Sequence, residues 1–344
     1  MRVVVGLVGA LLVVLMLAEF FVAFLLPRRV KRDPRIARGV YQAVWKPWRA
    51  AARRMQPIAA DALLGYFGPL ALVLELAVWV FGLIAGYACL EWAGGGRFSL
   101  DVSAGTFLSA SFDHVGAWHR AIGLLEAATA VGVLFTVIGY LPSVYSAYSL
   151  REIANSRLST RAGAPASAAG LLVNGWDEVD ATLQQAERWA TEMMETHLAY
   201  PLLAYYRSQH LGQSWLSALT AIVDTSAVVL AAAEDGAAGT RSAELTFKVG
   251  RHALADLAHQ LADGAAGPDR ELDAKDAAEL HGLLESSGLP LVPVGECRER
   301  LDRLRREYEP NAVKLASQLA LRLPPWRPDE QALERRKLAP AYRR

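Results

Sequence analysis

The residues most able to do chemistry in this sequence are acidic side chains inside long apolar segments. Glu75 lies in the apolar run from Gly65 to Trp92, and Glu126 lies in the run from Ala121 to Tyr145. A charged carboxylate at the centre of a lipid bilayer costs about 2.5–3.5 kcal/mol on insertion scales, so such residues usually serve a function. They could line an ion path or a hydrated cavity. The alternative is a structural role, in which each acid is neutral or is bonded to Ser, Tyr or Arg between helices.

A second group of candidate residues lies between these two runs. It contains one acid and two histidines, Asp113, His114 and His119. Neutral imidazole and carboxylate are common metal ligands, and imidazole changes its charge near neutral pH. The group could therefore bind a divalent metal or sense pH, although its spacing matches no recognised metal motif. The alternative is a set of solvated loop residues.

The second half of the sequence offers weaker candidates. Glu192, Glu195 and His197 fall on one predicted helix, and His210 and Asp224 follow it. The Glu-x-x-His repeat of two-metal helical bundles is absent, which favours surface or capping roles. The sequence contains no Gly-rich phosphate loop, nucleophile elbow, Cys-x-x-Cys pair or metalloprotease helix. We therefore predict no catalytic residue, no metal site, no cofactor and no enzymatic activity.

The composition indicates which elements must position these residues. Apolar residues make up 53% of the 344 residues, and they form long runs before Arg151, whereas charged residues are concentrated after it. The formal net charge is only +1, so the chain lacks the basic field that nucleic-acid binding needs. The pattern predicts an all-α membrane protein, with a membrane part followed by a soluble helical domain and with no nucleic-acid partner.

Three apolar segments are long enough to cross about 30 Å of hydrocarbon, which takes about 20 helical residues. We assign them to residues 1–26, 65–92 and 121–147. A cleaved signal peptide is the alternative for the first segment, but the apolar region of a signal peptide usually has only about 7–15 residues. Three spans place the two chain ends on opposite sides of the membrane.

The basic residues predict the orientation of these spans. Residues 27–64 carry ten Lys and Arg residues, opposed only by Asp33 and Asp61, whereas the segment between the second and third spans carries only Arg97 and Arg120. By the positive-inside rule, residues 27–64 and the C-terminal domain are cytoplasmic. We therefore expect a multi-pass protein of the inner membrane with its N-terminus outside.

The basic segment could also lie on the lipid surface as an amphipathic helix. Its basic residues alternate with Tyr41, Trp45 and Trp48, and each Lys or Arg near an anionic membrane contributes about 1 kcal/mol of attraction. The alternative is a disordered loop that acts only as a topology signal. The residues that we assign to the lipid surface are Arg28, Arg29, Lys31, Arg32, Arg53 and Arg54.

A short segment between the second and third spans could enter the membrane without crossing it. Residues 102–112 are too few and too polar for a span, but a short re-entrant helix is tolerated where protein buries it. Residues 65–148 would then form an apolar hairpin with a half-entering helix, which is the layout of a channel pore.

Three stretches carry a resemblance to a known family: Val137-Ile-Gly-Tyr-Leu-Pro142, the run from Tyr200 to His210, and Ser214-Trp-Leu. From the first span to about Ala233, the chain resembles a bacterial family of potassium-channel-like membrane proteins. The resemblance implies a homo-oligomeric pore whose filter carbonyls replace the hydration shell of K⁺. It also implies a path for a monovalent cation, whose candidate residues are Thr106, Ser109, Ser111, Phe112, Asp113 and Glu126.

The sequence departs from that family at the filter. Residues 113–119 contain a single glycine, Gly116, and the loop has no Gly-x-Gly motif. Paired glycines allow successive carbonyls to point at the ion axis, in conformations that are costly for residues with a Cβ. We therefore keep two predictions. The first is ion conduction through a remodelled pore, and the second is a non-conducting relative that acts as a membrane-anchored sensor or interaction module.

The remaining sequence predicts a linker over residues 149–170, an all-α cytoplasmic domain over 171–323 and a disordered basic tail over 324–344. Apolar residues at three- and four-residue steps predict a helix over 177–197. Residues 214–233 are apolar on most sides, which indicates the buried centre of a helical bundle. A fourth span is the alternative for this segment.

Overall fold

The computed structural model describes residues 1–24, 36–96, 98–109, 116–210, 212–237, 240–262, 264 and 267–327. Within these residues the regular structure is helical, apart from one isolated β-bridge between Ala233 and Leu291. The all-α class predicted from the sequence is therefore confirmed. The chain divides into two compact units, which we call the N-terminal unit (Met1–Ser146) and the C-terminal unit (Ala147–Arg344).

Among the described residues, six helices begin in the N-terminal unit, and the last of them continues past its boundary. They are α1 (Arg2–Phe24), α2 (Ile36–Ala52), α3 (Pro57–Gly65), α4 (Phe67–Ala93), α5 (Leu100–Ser109) and α6 (Ala117–Ala162). Pro57 opens α3, where a missing backbone N–H costs nothing because the first turn has no acceptor for it.

Six further α-helices belong to the C-terminal unit. They are α7 (Ala168–Leu172), α8 (Trp176–Ala199), α9 (Trp215–Ala232), α10 (Arg241–Leu261), α11 (Ala274–Gly282) and α12 (Val294–Leu319). Two short 3₁₀ helices, Pro201–Tyr205 and Glu285–Ser287, lie in the connections.

Four helical segments of the described chain are long and apolar enough to cross a membrane: α1, Pro57–Ala93, α6 and α9. Protein covers them very unequally, since 94% of the most apolar window is buried in α9 but only 17% in α6. On α6, large apolar side chains such as Leu134, Phe135 and Ile138 are more than half exposed. Soluble proteins rarely leave such extended apolar surfaces open, so this pattern indicates membrane insertion.

Helices α1 and α4 approach each other closely because glycines lie at their contact. A Cβ atom on Gly9 would lie 2.6 Å from the Cβ of Cys89 and 2.7 Å from the carbonyl oxygen of Gly86. Such close approach through small residues is the usual way in which helices associate in lipid. Further along the same contact, the rings of Phe20 and Trp79 meet edge-on at 5.5 Å.

Two tryptophans fix α2 against the start of the α3–α4 segment. The ring of Trp45 is buried against Phe67 at 4.6 Å, and Trp48 Nε1 donates a hydrogen bond of 3.0 Å to the carbonyl oxygen of Leu63. The basic segment is thus helical from Ile36 to Ala52, and these aromatic side chains pack on protein.

The C-terminal unit is built around α9. Helices α10 and α12 both pack on α9, and α8 packs on α10. Ser214 begins α9 by accepting a hydrogen bond of 3.0 Å from the backbone N–H of Ser217. The apolar side chains of α9 are covered by neighbouring helices, and α9 is therefore the buried centre of this unit.

The segment expected to be a linker is largely helical and packed. Helix α6 continues to Ala162, and buried residues follow from Ala166 to Leu172. Arg151, in the part of α6 that belongs to the C-terminal unit, is buried and donates to the carbonyl oxygens of Leu203 at 2.8 Å and Tyr206 at 2.9 Å. These bonds hold the end of α6 against the segment that follows α8.

The tail was expected to be disordered from Pro324, and this is wrong for residues 324–327. The ring of Trp326 is only 4% exposed and lies 4.8 Å from the guanidinium of Arg270 and 5.3 Å from that of Arg305. Its carbonyl oxygen accepts a hydrogen bond of 3.1 Å from Ala169 N. Residues 328–344 lie outside the described part of the chain.

Candidate functional site

The side chain of Glu126 lies at the centre of a polar cluster inside the N-terminal unit. Helix α6 supplies Glu126, which has no exposed surface, and helix α5 supplies Ser103, which also has none. Helix α5 is short, and the Ser99 hydroxyl accepts from Val102 N at its start. Ser103 and Thr106 share the buried face of α5 because residues three apart lie on one side of a helix.

Ser103 joins Glu126 to α4. Its Oγ atom lies 2.9 Å from the carbonyl oxygen of Ile84 and is in hydrogen-bond contact with Glu126 Oε1. The second carboxyl oxygen, Glu126 Oε2, is buried and has no hydrogen-bond partner among the described residues. An unpaired buried polar atom is costly, so its presence in this position requires an explanation.

The single proton of Ser103 cannot satisfy both neighbours. A hydroxyl group is one donor and can serve either the Ile84 carbonyl or an ionised Glu126, but not both at once. When Glu126 is protonated, its own O–H can donate to Ser103 Oγ while Ser103 donates to Ile84. The arrangement therefore satisfies every contact only when Glu126 carries a proton.

A hydroxyl pair continues the polar cluster along α6. Tyr87 OH lies 2.7 Å from Thr129 Oγ1, and Thr129 Oγ1 donates to the carbonyl oxygen of Leu125 at 2.8 Å. Because Thr129 has used its proton, Tyr87 must be the donor to Thr129.

Two further polar side chains lie where α4 ends and α6 begins. Glu91 is 5% exposed and lies in the last turn of α4. The Nε2 atom of His119 is buried without a hydrogen-bond partner in the described residues. A Cβ atom on Gly96 would lie 2.8 Å from this nitrogen and 3.1 Å from the Glu91 carbonyl oxygen, so His119 rests against the last turn of α4.

The structure places the predicted ion-path residues in different surroundings. Thr106 is 1% exposed and donates to the carbonyl oxygen of its own helix at Val102, at 3.1 Å, whereas Ser109 is exposed. Glu75 is buried on α4, nine residues before Ile84, or about 13 Å along a helix. Ser111, Phe112, Asp113 and His114 lie outside the described residues.

Sequence reasoning missed several members of this cluster. Ser103, Tyr87 and Thr129 are ordinary polar residues in apolar helices, and no motif marks them. The available signal was spacing, since Ser103 lies three residues before the predicted Thr106 on the same helical face.

The predicted lipid-surface residues are only partly described. Arg53 and Arg54 are exposed between α2 and α3. The other four, Arg28, Arg29, Lys31 and Arg32, lie outside the described residues.

In the C-terminal unit, Glu192 and Glu195 are exposed, which agrees with the surface role predicted for them. His197 differs, because it is fully buried against the Trp215 ring at 4.9 Å, with its Nδ1 atom 2.8 Å from the Met193 carbonyl oxygen. Burial, together with the charge of Arg151, lowers the pKa of His197 to about 3. No group of three or more His, Cys, Asp or Glu side chains within the described ranges could hold a metal.

A second buried acid cluster lies in the C-terminal unit and is fully paired. Arg270 donates to both oxygens of Asp224 at 2.8 Å and to Glu309 Oε1 at 2.9 Å. Tyr308 OH donates to Asp224 at 2.6 Å, and Arg305 donates to Glu309 Oε2 at 2.9 Å. Burial opposes ionisation of Glu309, but the two guanidinium groups outweigh it and hold the pKa of Glu309 below its usual value.

The arrangement in the N-terminal unit can therefore bind and release a proton or contact a cation, whereas the arrangement in the C-terminal unit neutralises its own charges. Comparison of the chain with protein-family models, with curated proteins and with solved structures finds no match in any of the three.

Proposed function

We propose that this chain is a channel-like integral membrane protein whose N-terminal unit moves monovalent cations, with the Glu126 carboxyl as the group that contacts them. The observation that supports this proposal is the fully buried carboxyl group of Glu126, one oxygen of which has no hydrogen-bond partner in the described chain. An ionisable side chain inside a membrane segment marks a functional site by default.

In this proposal α1, the α3–α4 segment and α6 are the three spans. Glu126 lies nine residues after the start of α6, or about 13 Å along the helix, which is close to the middle of about 30 Å of hydrocarbon. Helix α5 has ten residues and a length of about 15 Å, which suits a re-entrant helix that reaches the middle and stops. The polar cluster would then lie beside the first half of this helix, because Ser103 is its fourth residue.

The orientation and assembly follow from charge and from exposed surface. The basic α2 segment and the C-terminal unit would face the cytoplasm, with α2 beside anionic lipid and the N-terminus outside. A module of this size cannot enclose a pore alone, so conduction requires a homo-oligomer. The exposed apolar residues of α6 would be shared between lipid and neighbouring copies.

The test is cation flux through the purified full-length chain in liposomes, with K⁺ and Na⁺ measured separately. We expect poorly selective flux, because the Gly-x-Gly motif of a K⁺ filter is missing. Glu126→Gln should lower the flux about tenfold, equivalent to about 1.4 kcal/mol in the barrier. Glu19→Gln is the matched control, since it removes an acid from α1, which does not contribute to the Ser103 contact, and it should leave the flux unchanged.

A second candidate function is a non-conducting membrane anchor whose C-terminal unit acts as a sensor or interaction module. The observation that favours it is the absence of any exposed surface on Glu126, which leaves no open route for a hydrated ion in this state. Flux no greater than that of empty liposomes, from a correctly assembled oligomer, would select this function. Strongly K⁺-selective flux would instead show that a different backbone segment replaces the missing filter.

A further inference from the structure

We propose that the cation bound at Glu126 is the proton, and that it arrives from one end of the N-terminal unit along His119 and Glu91. This inference rests on the proposed function, because it names the substrate of the same site. It differs in placing the path inside one copy of the chain, between α4, α5 and α6.

The first support is the coordination that Glu126 can offer. A K⁺ ion that leaves water needs several oxygen atoms in place of its hydration shell. Among the described residues, the only hydroxyl in contact with the Glu126 carboxyl is that of Ser103, and the carboxyl group has no exposed surface. A proton needs one oxygen and almost no space.

The second support is the hydrogen-bond arrangement around Ser103. Protonated Glu126 donates to Ser103 Oγ, and Ser103 donates to the Ile84 carbonyl oxygen, so both hydroxyl protons have an acceptor. Loss of the proton leaves two acceptors competing for one hydroxyl. The hydrogen-bond geometry therefore favours the protonated form of Glu126 over the ionised form.

The third support is a line of polar side chains that runs from the end of the unit to its middle. Glu91 follows Tyr87 by four residues and therefore lies on the same face of α4, and His119 packs beside Gly96, directly after that helix. In each step the proton would leave a nitrogen or oxygen and bind the next one, directly or through a water molecule. The imidazole, carboxylate and carboxyl groups are each restored when the proton moves on.

The other charged or titratable groups near Glu126 are few. Tyr87 and Glu75 come from α4, and α5 carries the exposed Asp101 in addition to Ser103 and Thr106, which do not titrate. Arg120, near the start of α6, is exposed. Helix α1 packs on α4 and carries Arg2, whose guanidinium lies 6.0 Å from the Trp92 ring, and Glu19. No basic side chain forms an ion pair with Glu126 in the described ranges, so a proton is the means by which its charge is neutralised.

Apolar side chains that include Trp79, Leu83 and Val133 lie beyond Tyr87 and Thr129 in the core of the unit. The next buried acid on α4 towards its N-terminus is Glu75, 12 residues before Tyr87. The polar side chains described here therefore connect Glu126 with the end of the unit where α4 stops.

The test is proton binding by the full-length protein in detergent, measured with a pH-indicator dye and with the infrared absorption of protonated carboxyl groups. A stepwise change of pH should reveal one proton per chain that disappears in Glu126→Gln. Glu126→Asp retains a carboxyl group and should retain the proton, which separates loss of the group from loss of folding. Equal proton numbers in the wild type and Glu126→Gln would overturn the inference.

The proposed path is tested by measuring the rate at which the same proton binds. His119→Gln should keep the number of protons and slow their binding about tenfold. His252→Gln is the control, because His252 is an exposed side chain of the C-terminal unit, and it should change neither. An unchanged rate in His119→Gln would contradict entry along His119.

The outcome is independent of cation flux, since no ion gradient is present. Proton binding at Glu126 without K⁺ or Na⁺ flux would uphold this inference and remove metal-cation conduction from the proposed function. Flux that needs Glu126, without a proton bound there, would uphold the proposed function and overturn this inference.

Discussion

The two units bury acidic side chains in opposite ways. In the C-terminal unit, Asp224 and Glu309 have no exposed surface, and their carboxylate oxygens accept hydrogen bonds from the guanidinium groups of Arg270 and Arg305. In the N-terminal unit, Glu126 is equally buried, but its hydrogen-bonding partner in the described chain is the hydroxyl of Ser103. We call Asp224 and Glu309 saturated, because each of their carboxylate oxygens accepts from a guanidinium group. We call Glu126 open, because its Oε2 atom has no hydrogen-bond partner in the described chain.

The difference separates a structural role from a functional one. A buried acid whose oxygens all accept from guanidinium groups is held in place by them, and loss of these bonds would break the packing around it. An acid with one free oxygen and a neutral partner can gain or lose a proton while the helices keep their places. We therefore predict that the Asp224 cluster contributes to stability, and we propose Glu126 as the functional acid.

The largest expected effect comes from breaking the saturated cluster. Arg270→Met leaves Asp224 without its guanidinium partner and removes one of the two partners of Glu309, and breaking a buried ion pair costs about 3–5 kcal/mol. The melting temperature of the C-terminal unit should fall by roughly 10 °C. Thermal unfolding of the full-length protein in detergent, followed by tryptophan fluorescence, measures this fall.

Arg241→Met is the matched control for that prediction. Arg241 also pairs with an acid, Glu244, but its side chain is 73% exposed. Exposed pairs contribute only about 0–1 kcal/mol, so this variant should melt close to the wild type. Equal melting temperatures for the two variants would show that the buried cluster is not a main source of stability.

A smaller effect is expected from disturbing the close packing of α1 against α4 in the N-terminal unit. Gly86→Leu forces a side chain into Val13 and the Gly9 carbonyl oxygen, because even a Cβ atom would lie 2.7 Å and 3.1 Å from them. Overpacking of this kind costs about 1–3 kcal/mol. Size-exclusion chromatography after heating should show a lower temperature of aggregation than for the wild type.

Gly132→Leu serves as its control. A Cβ atom on Gly132, in α6, would meet no other atom within 4 Å. This variant should aggregate at the wild-type temperature. If Gly86→Leu behaved in the same way, the contact between α1 and α4 could not be the element that holds the unit together.

The smallest of these effects concerns pH and His197. The pKa of this imidazole lies near 3 in the folded chain, against an ordinary value of 6.5, so the unfolded chain binds the proton first as the pH falls. The contribution of His197 to stability is complete above pH 6.5 and is lost progressively towards pH 3. Between about pH 6.5 and 5.5 the loss is about 1 kcal/mol.

Thermal unfolding at these two pH values checks the His197 prediction. The fall in melting temperature between them should be smaller in His197→Gln than in the wild type. An identical fall in both proteins would mean that this imidazole is solvated or charged in the folded chain.

The sequence predicts the main helices well, because a helix that is buried in lipid or in a protein core needs a long run or a regular spacing of apolar residues. The segment 214–233 occurs as α9, Trp215–Ala232, and the helix predicted over 177–197 occurs within α8. The ordered part of the tail could not be predicted from apolar segments. Trp326 is ordered by cation–π contacts with Arg270 and Arg305, which come from distant parts of the chain.

Within the polar cluster of the candidate site, the sequence alone predicted the acid, Glu126, but not its partners. Glu126 is identified by its place in an apolar run, but Ser103 is 23 residues away and becomes its partner only when α5 packs beside α4. In the same way, nothing near Asp224 in the sequence indicates Arg270, 46 residues further on. A saturated and an open acid therefore cannot be distinguished until the tertiary structure supplies the partners.

The most direct test of this distinction is labelling of the full-length protein in liposomes with dicyclohexylcarbodiimide, an apolar reagent that reacts with protonated carboxyl groups. Peptide mass spectrometry then locates the labelled residues. Our account predicts labelling at Glu126 that increases as the pH falls, with no labelling at Asp224 or Glu309 while the protein is folded. Labelling of Asp224 or Glu309 to the same extent as Glu126, or labelling of Glu19 on α1 without any at Glu126, would contradict it.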